Sequence, residues 1–122
     1  MTEQRQQQRI SLHIDDIEAQ EVAPGITVRR FLPTAAARGW LIDFAPGSEW
    51  PTLDVHEDEE RYYVISGEVI EGERTFGEGS YVVFAPGSSH RPRSDRGARM
   101  LGINIAGPPS GSRPGERLRQ DG

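Results

Sequence analysis

The chain has 122 residues, a size suited to one domain, with 34% hydrophobic residues, a net charge of −5 and no cysteine. That excludes a disulfide framework, a thiolate metal site and a cysteine nucleophile, and the charge argues against nucleic acid as a partner. All 14 basic residues are arginine, which also excludes Schiff-base chemistry on a lysine.

Residues 1–9 hold almost nothing to bury and read as a disordered tail. Ile10-Ser11-Leu12-His13-Ile14 alternates with period two and predicts a first strand, followed by a helical turn over Asp15 to Ala19 with carboxylates at its start. A second strand is expected over Ile26 to Phe31. In a third, Trp40, Ile42 and Phe44 share one face and Asp43 takes the other. Arg61 to Ser66 and Glu68 to Ile70 read as short strands joined in a hairpin at Gly67. Ser80 to Ala85 and Arg99 to Ile105 complete the set, and Pro/Gly turn signals recur between strands. Residues 106–122 are Pro, Gly, Ser and charge and read as a second disordered tail, leaving residues 10–105 as the folded domain. Many short strands with such turns argue for an all-β sandwich or barrel. Phe44-Ala45-Pro46-Gly47-Ser48 recurs as Phe84-Ala85-Pro86-Gly87-Ser88. This is either the same favoured turn used twice or the trace of two Greek-key halves closing into a jelly roll. No apolar run approaches the roughly 20 residues of a membrane span, and the N-terminus lacks a signal-peptide core. A cytoplasmic protein with no membrane partner is expected.

The chemistry concentrates between residues 54 and 90. Asp54 and His56, two apart, share one face of a strand. Glu60 follows after an acidic bend, and His90 comes from a different strand after the Pro86-Gly87 turn. Two imidazoles and two carboxylates in one cavity would suit Fe(II), Mn(II), Zn(II) or Ni(II), with positions left open for substrate or water. Read without a metal, Glu60 belongs to a solvated acidic run with Glu57, Asp58 and Glu59, and the histidines line a cavity. His13 reads as a surface or edge-strand histidine.

These spacings resemble the two motifs of the cupins. The first, roughly G-x5-H-x-H-x3/4-E-x6-G, is matched by Asp54-x-His56-x3-Glu60-x6-Gly67, with Asp54 where the first His is usual and Gly47 near the expected upstream Gly. The second, roughly G-x5-P-x-G-x2-H-x3-N, is matched by Gly79-x5-Ala85-Pro86-Gly87-x2-His90, with Ala85 for the first Pro and Ser94 for the Asn. Gly87-x2-His90 and Tyr63-Val64-Ile65-Ser66-Gly67-Glu68 are most similar to small single-domain ChrR-like cupins, relatives of an anti-sigma-factor C-terminal domain. The resemblance covers about residues 40 to 105. It implies a double-stranded β-helix (jelly-roll) barrel with Asp54, His56, Glu60 and His90 as ligands of a divalent Fe, Mn, Zn or Ni ion. It further implies a homodimer paired through edge strands, for which Ile10–Ile14 is the natural candidate.

The implied function is a metal-dependent enzyme on a small organic substrate, of dioxygenase, isomerase, cyclase or lyase type, with Glu60 and Tyr63 as catalytic candidates. The alternatives are a non-catalytic ligand-binding or sensing cupin and a structural or storage protein. In the anti-sigma relatives, sigma binding belongs to a separate N-terminal zinc domain. Residues 1–9 are polar and cysteine is absent, so direct anti-sigma activity is not expected. Trp50 and Tyr63 are the aromatics chosen to face a substrate. Arg91, Arg93, Arg96 and Arg99 read as a charged edge strand, or one of them as the fork that holds an anionic substrate. Asn104, in an apolar strand, would need a hydrogen-bond partner if it faces inward.

Overall fold

The computed structural model describes residues 8–106. Eleven strands run in chain order: β1 (Gln20–Ala23), β2 (Ile26–Arg30), β3 (Ala37–Phe44), β4 (Ser48–Glu49), β5 (Asp54–Val55), β6 (Glu59–Glu71), β7 (Arg74–Gly77), β8 (Tyr81–Phe84), β9 (Ser89–His90), β10 (Arg93–Ser94) and β11 (Ala98–Ile105). They form an all-β jelly-roll barrel. One main sheet has the order β1-β2-β3-β11-β6-β10-β4, with β7 and β8 also on β6, and β5 pairs with β9. Among the described residues no helix is long and apolar enough to cross a membrane. Apart from residues 8, 9 and 106, the expected tails lie outside the described residues.

Inward-facing positions obey the period of two. Ile26 and Val28 on β2, Ile42 and Phe44 on β3, Tyr62 and Val64 on β6, and Ala98 and Met100 on β11 form the core with Val69. The inner row then changes character along the strands. Ala98 lies opposite Phe44, Met100 opposite Ile42, Gly102 opposite Trp40 and Asn104 opposite Arg38. One end of the barrel is therefore closed by apolar packing, and the other is lined by polar and aromatic groups around an open cavity.

Two expected elements form differently. Residues 10–14 make no strand; Ile14–Asp16 is a short 3-10 turn capped by His13, whose Nδ1 accepts from the Asp15 N–H at 3.1 Å. Ile10 and Leu12 are 72% and 49% exposed, so their alternation reflects no buried face. Gly67 closes no hairpin either. It lies inside the 13-residue β6, where the strand leaves β11 (Gly67 opposite Ala98) and takes up β7 (Glu68 opposite Gly77). The register slips by one residue just upstream, since Ser66 and Val64 face Arg99 and Met100 with Ile65 unmatched. This β-bulge moves the inward parity from Glu60, Tyr62 and Val64 to Val69 and Glu71. The strands β1 and β7 were not foreseen because QEVA and RTFG are too short and polar to show an alternation.

At Gly67 φ is +76°, and a Cβ would lie 2.0 Å from the Gly97 carbonyl oxygen. Both the dihedral and the contact require glycine. Gly67→Ala should therefore destabilise the fold by at least about 3 kcal/mol, read as a lower midpoint in urea denaturation. A loss below about 1 kcal/mol would mean that β6 can bend elsewhere.

Candidate metal centre

The repeated Phe-Ala-Pro-Gly-Ser segment accounts for the position of both histidines. In each copy the Ser N–H donates to the Ala carbonyl three residues back, Ser48 to Ala45 at 3.1 Å and Ser88 to Ala85 at 3.0 Å. Gly47 and Gly87 have φ of +80° and +88°, as a type II turn requires. The second turn grips the backbone of His56: the Gly87 N–H donates to the His56 carbonyl at 2.7 Å, and the His56 N–H donates to the Ser88 carbonyl at 3.0 Å. Just beyond it β9 pairs with β5, setting His90 opposite Asp54. Sequence positions 34 apart are thus locked side by side by main-chain bonds.

Glu60 arrives from β6, opposite Phe84 on one side and Asn104 on the other. Glu60 is 3% exposed. Three electron-pair donors then converge. His56 Nε2 stands 3.0 Å from His90 Nε2, His90 Nε2 stands 3.2 Å from Glu60 Oε1, and His56 Nε2 is in direct contact with Glu60 Oε1. They form the one group of metal-binding type among the described residues. Two imidazole lone pairs and a carboxylate oxygen repel unless protons or a cation lie between them. Donors around one ion at roughly 2.0–2.2 Å stand about 3 Å apart, so this donor set fits a divalent first-row metal.

Asp54 is not brought into the group. It lines the same cavity but its carboxylate, which accepts from the Thr52 hydroxyl at 3.2 Å, does not come within 4.8 Å of all three donors. An Asp carboxylate ends nearer its own backbone than the Nε2 of a His at the same position. Tyr63 is not brought in either. It alternates to the outer face of β6 and is 44% exposed, and the inward tyrosine is Tyr62, 1% exposed. Trp50 lines the cavity. Of the arginines after His90, Arg91 donates to the Trp50 and Pro51 carbonyls, Arg93 to Asp95 and Arg99 to Asp43. None of the four, Arg96 included, lines the cavity.

Glu71 is the residue that the sequence did not point to. It lies outside both motifs, and only the bulge at Ile65 turns it inward. Its Oε2 accepts from the Tyr62 hydroxyl at 2.7 Å and stands 3.0 Å from His90 Nδ1. A carboxylate on the far nitrogen of a ligand histidine fixes its tautomer and leaves Nε2 free to bind. Burial, with the charges of Glu71 and Glu60, raises the Tyr62 hydroxyl far above its ordinary range, so it keeps its proton and serves as a donor. Phe84 stacks on the His90 ring with centroids 4.3 Å apart. Burial by itself would lower the pKa of His90. Hydrogen bonds to Glu60 and Glu71, with the charges of both, outweigh it and raise His90 to about 9.

The donor group opens into a cavity of about 700 Å³ with largely apolar walls, among them Val28, Phe31, Ile42 and Met100. Trp40 lies across Gly102, where a Cβ would meet the indole Nε1 at 2.6 Å. Arg30, Arg38 and Asn104 also line it.

A jelly-roll barrel with a His/Glu/His group at its open end defines a cupin. The chain belongs to the ChrR cupin-like family, whose model (ChrR Cupin-like domain) matches residues 7–104. Its fold is similar to an RmlC-like cupin from Shewanella frigidimarina, with a TM-score of 0.72 at 16% identity, covering 86% of this chain and 97% of that one. It is also similar to a chain of the Rhodobacter sphaeroides complex of SigE with the anti-sigma ChrR, with a TM-score of 0.66 at 18% identity over 75% of this chain and 51% of that one. An acetylacetone dioxygenase from Acinetobacter johnsonii gives 0.69 at 12% identity over 83% and 75%. At these identities the likeness shows the fold alone. No curated protein matches the chain in sequence.

The position of His90 has a measurable consequence in metal-free protein. Its folded pKa of about 9 lies above the ordinary 6.5, so its contribution to stability is complete below about pH 6.5 and is lost as pH rises to about 9. Chelator-treated protein should lose up to about 3 kcal/mol over that interval, seen as a falling melting temperature. His90→Gln should flatten the profile, and a wild-type stability that rises from pH 6.5 to 9 would contradict the arrangement.

Proposed function

We propose that this chain is a small metal-dependent cupin enzyme acting on a small organic substrate. The observation that carries the reading is the convergence of His56, Glu60 and His90 on the wall of a largely apolar cavity. Those three residues would hold a divalent Fe, Mn, Zn or Ni ion, leaving coordination positions that face the cavity. A bound ion there supplies Lewis acidity toward a substrate oxygen. Glu71 orients His90, Tyr62 holds Glu71, and the apolar walls exclude water from the bound substrate. Asp54, partly buried in the same cavity and outside the donor group, is placed to give or take a proton.

A second reading, a non-catalytic ligand-binding or sensing cupin, draws support from the match to the ChrR cupin-like family. The same cavity would bind a small molecule without turning it over. Metabolites that raise the melting temperature of the loaded protein but pass through unchanged would favour this reading.

Elemental analysis of the purified protein should find close to one equivalent of a divalent metal. His56→Ala or His90→Ala should remove most of it, and Glu71→Gln should weaken binding roughly 10–100-fold. Wild-type protein that stays metal-free after loading with Fe, Mn, Zn and Ni would overturn the enzymatic reading.

We also propose a homodimer, paired differently from the sequence expectation, since residues 10–14 form no edge strand. Tyr63, Ile65, Tyr81, Leu101 and Ile103 are each 37% exposed or more on the outer face of β6, β8 and β11. Tyr63 stands opposite both Leu101 and Tyr81, so most of the patch is contiguous. Arg61, bonded to Glu59 and Tyr81, lies on the same face and offers both charge signs to a second copy. Light scattering at micromolar concentration should give twice the chain mass of 13.6 kDa, and Leu101→Asp should give the monomer. A monomeric wild type would refute the pairing.

A further inference from the structure

We infer that the cavity takes a small hydroxy acid, with its carboxylate on Arg38, its hydroxyl against Asn104 and its body directed toward His56, Glu60 and His90. This deepens the enzymatic reading by naming a substrate class, and it rests on the same cavity being the binding site.

The arrangement follows from strand register. β11 lies between β6 and β3, with Asn104 opposite Glu60 on one side and Arg38 on the other. All three residues line the cavity. They form one row across the inner wall: an acid of the donor group, an amide, then a cation. Adjacent strands are roughly 4.8 Å apart, so the row spans about 10 Å between its outer members, the reach of a small bifunctional molecule.

Two members of the row, Asn104 and Arg38, have unused bonding capacity. Asn104 Oδ1 is buried with no hydrogen-bond partner among the described residues. Buried polar atoms are rarely left so, and an amide carbonyl accepts from a hydroxyl or N–H once it turns toward one. Arg38 is exposed, and neither a hydrogen bond nor an ion pair engages its guanidinium among the described residues. Arg30, the other cavity arginine, is already committed to Gln20 Oε1 at 2.8 Å. A planar guanidinium receives a carboxylate in bidentate fashion.

Charge sets the direction. Along the row Glu60 is buried with the donor group, whereas Arg38, like Arg30, is exposed. A monoanion therefore enters with its carboxylate toward the arginines. The apolar lining, Val28, Ile42, Met100 and Trp40 among it, favours an apolar body over a second charge.

The test uses mandelate and 3-hydroxybutyrate as probes on the metal-loaded full chain, by calorimetry, with metal content measured in every sample. The controls are their neutral amides, which lack the charge, and phenylacetate and butyrate, which lack the hydroxyl. At least one hydroxy acid should bind 10-fold or more tightly than both its amide and its deoxy analogue. Arg38→Gln should abolish the preference over the amide and Arg38→Lys should restore part of it. Asn104→Leu should abolish the preference over the deoxy acid, and metal content should stay at the wild-type level throughout. Equal binding of acid and amide, a preference that survives Arg38→Gln, or no binding of either acid to metal-replete protein would overturn the inference. Arg38-dependent acid binding by a chain that takes up no metal would uphold the inference while the enzymatic reading falls.

Discussion

At Gly67 the main chain passes so close to the Gly97 carbonyl that no β-carbon fits between them. This contact lets one 13-residue strand change its neighbours midway. Before it, β6 pairs with β11 and β8; after it, with β7 and β10. Two residues earlier the unmatched Ile65 reverses the inward parity. Without that reversal Glu60 and Glu71, eleven residues apart, would point to opposite faces. With it, both carboxylates reach His90, one at each ring nitrogen. The wall of the barrel and the polar network around the donor group therefore depend on one short stretch of β6.

The histidines depend on a second main-chain device. The turn at Pro86-Gly87 holds the His56 peptide on both sides and leads directly into His90. Because these bonds are made by backbone groups, the separation of the rings is set by the turn geometry, and the side chains need only their ordinary rotamers. Phe84 at the start of the turn adds a ring against which His90 stacks. The donor group is thus largely organised before any ion arrives, a condition for tight binding at small reorganisation cost.

Polarity grades along the inner row of β11, and function follows the gradient. Ala98 and Met100 belong to the packed core, Gly102 makes room for the Trp40 indole, and Asn104 stands among charged neighbours. Stability is concentrated at one end of the barrel and chemistry at the other. The outer face carries its own network, in which Arg29 and Arg99 both donate to Asp43. Arg99, one of the four arginines that sequence reading offered as an anion-binding fork, is thereby spent on the outer face of the sheet.

The sequence alone determined the all-β class and most of the longer strands, because alternation and turn chemistry are local, and its two motifs offered four candidate ligands, of which His56, Glu60 and His90 lie together. It also marked Asn104 as needing a partner if turned inward. It misplaced the strand at residues 10–14, since alternation records a pattern without recording what covers it. It read Gly67 as a hairpin because glycine at positive φ serves turns and bulges alike, and the deciding contact lies thirty residues away at Gly97. The parity of Tyr62 over Tyr63, the inward turn of Glu71, the stand-off of Asp54 and the row from Glu60 to Arg38 were decided only by tertiary structure. Each depends on which strand lies beside which, and register is a property of paired strands that no single strand contains.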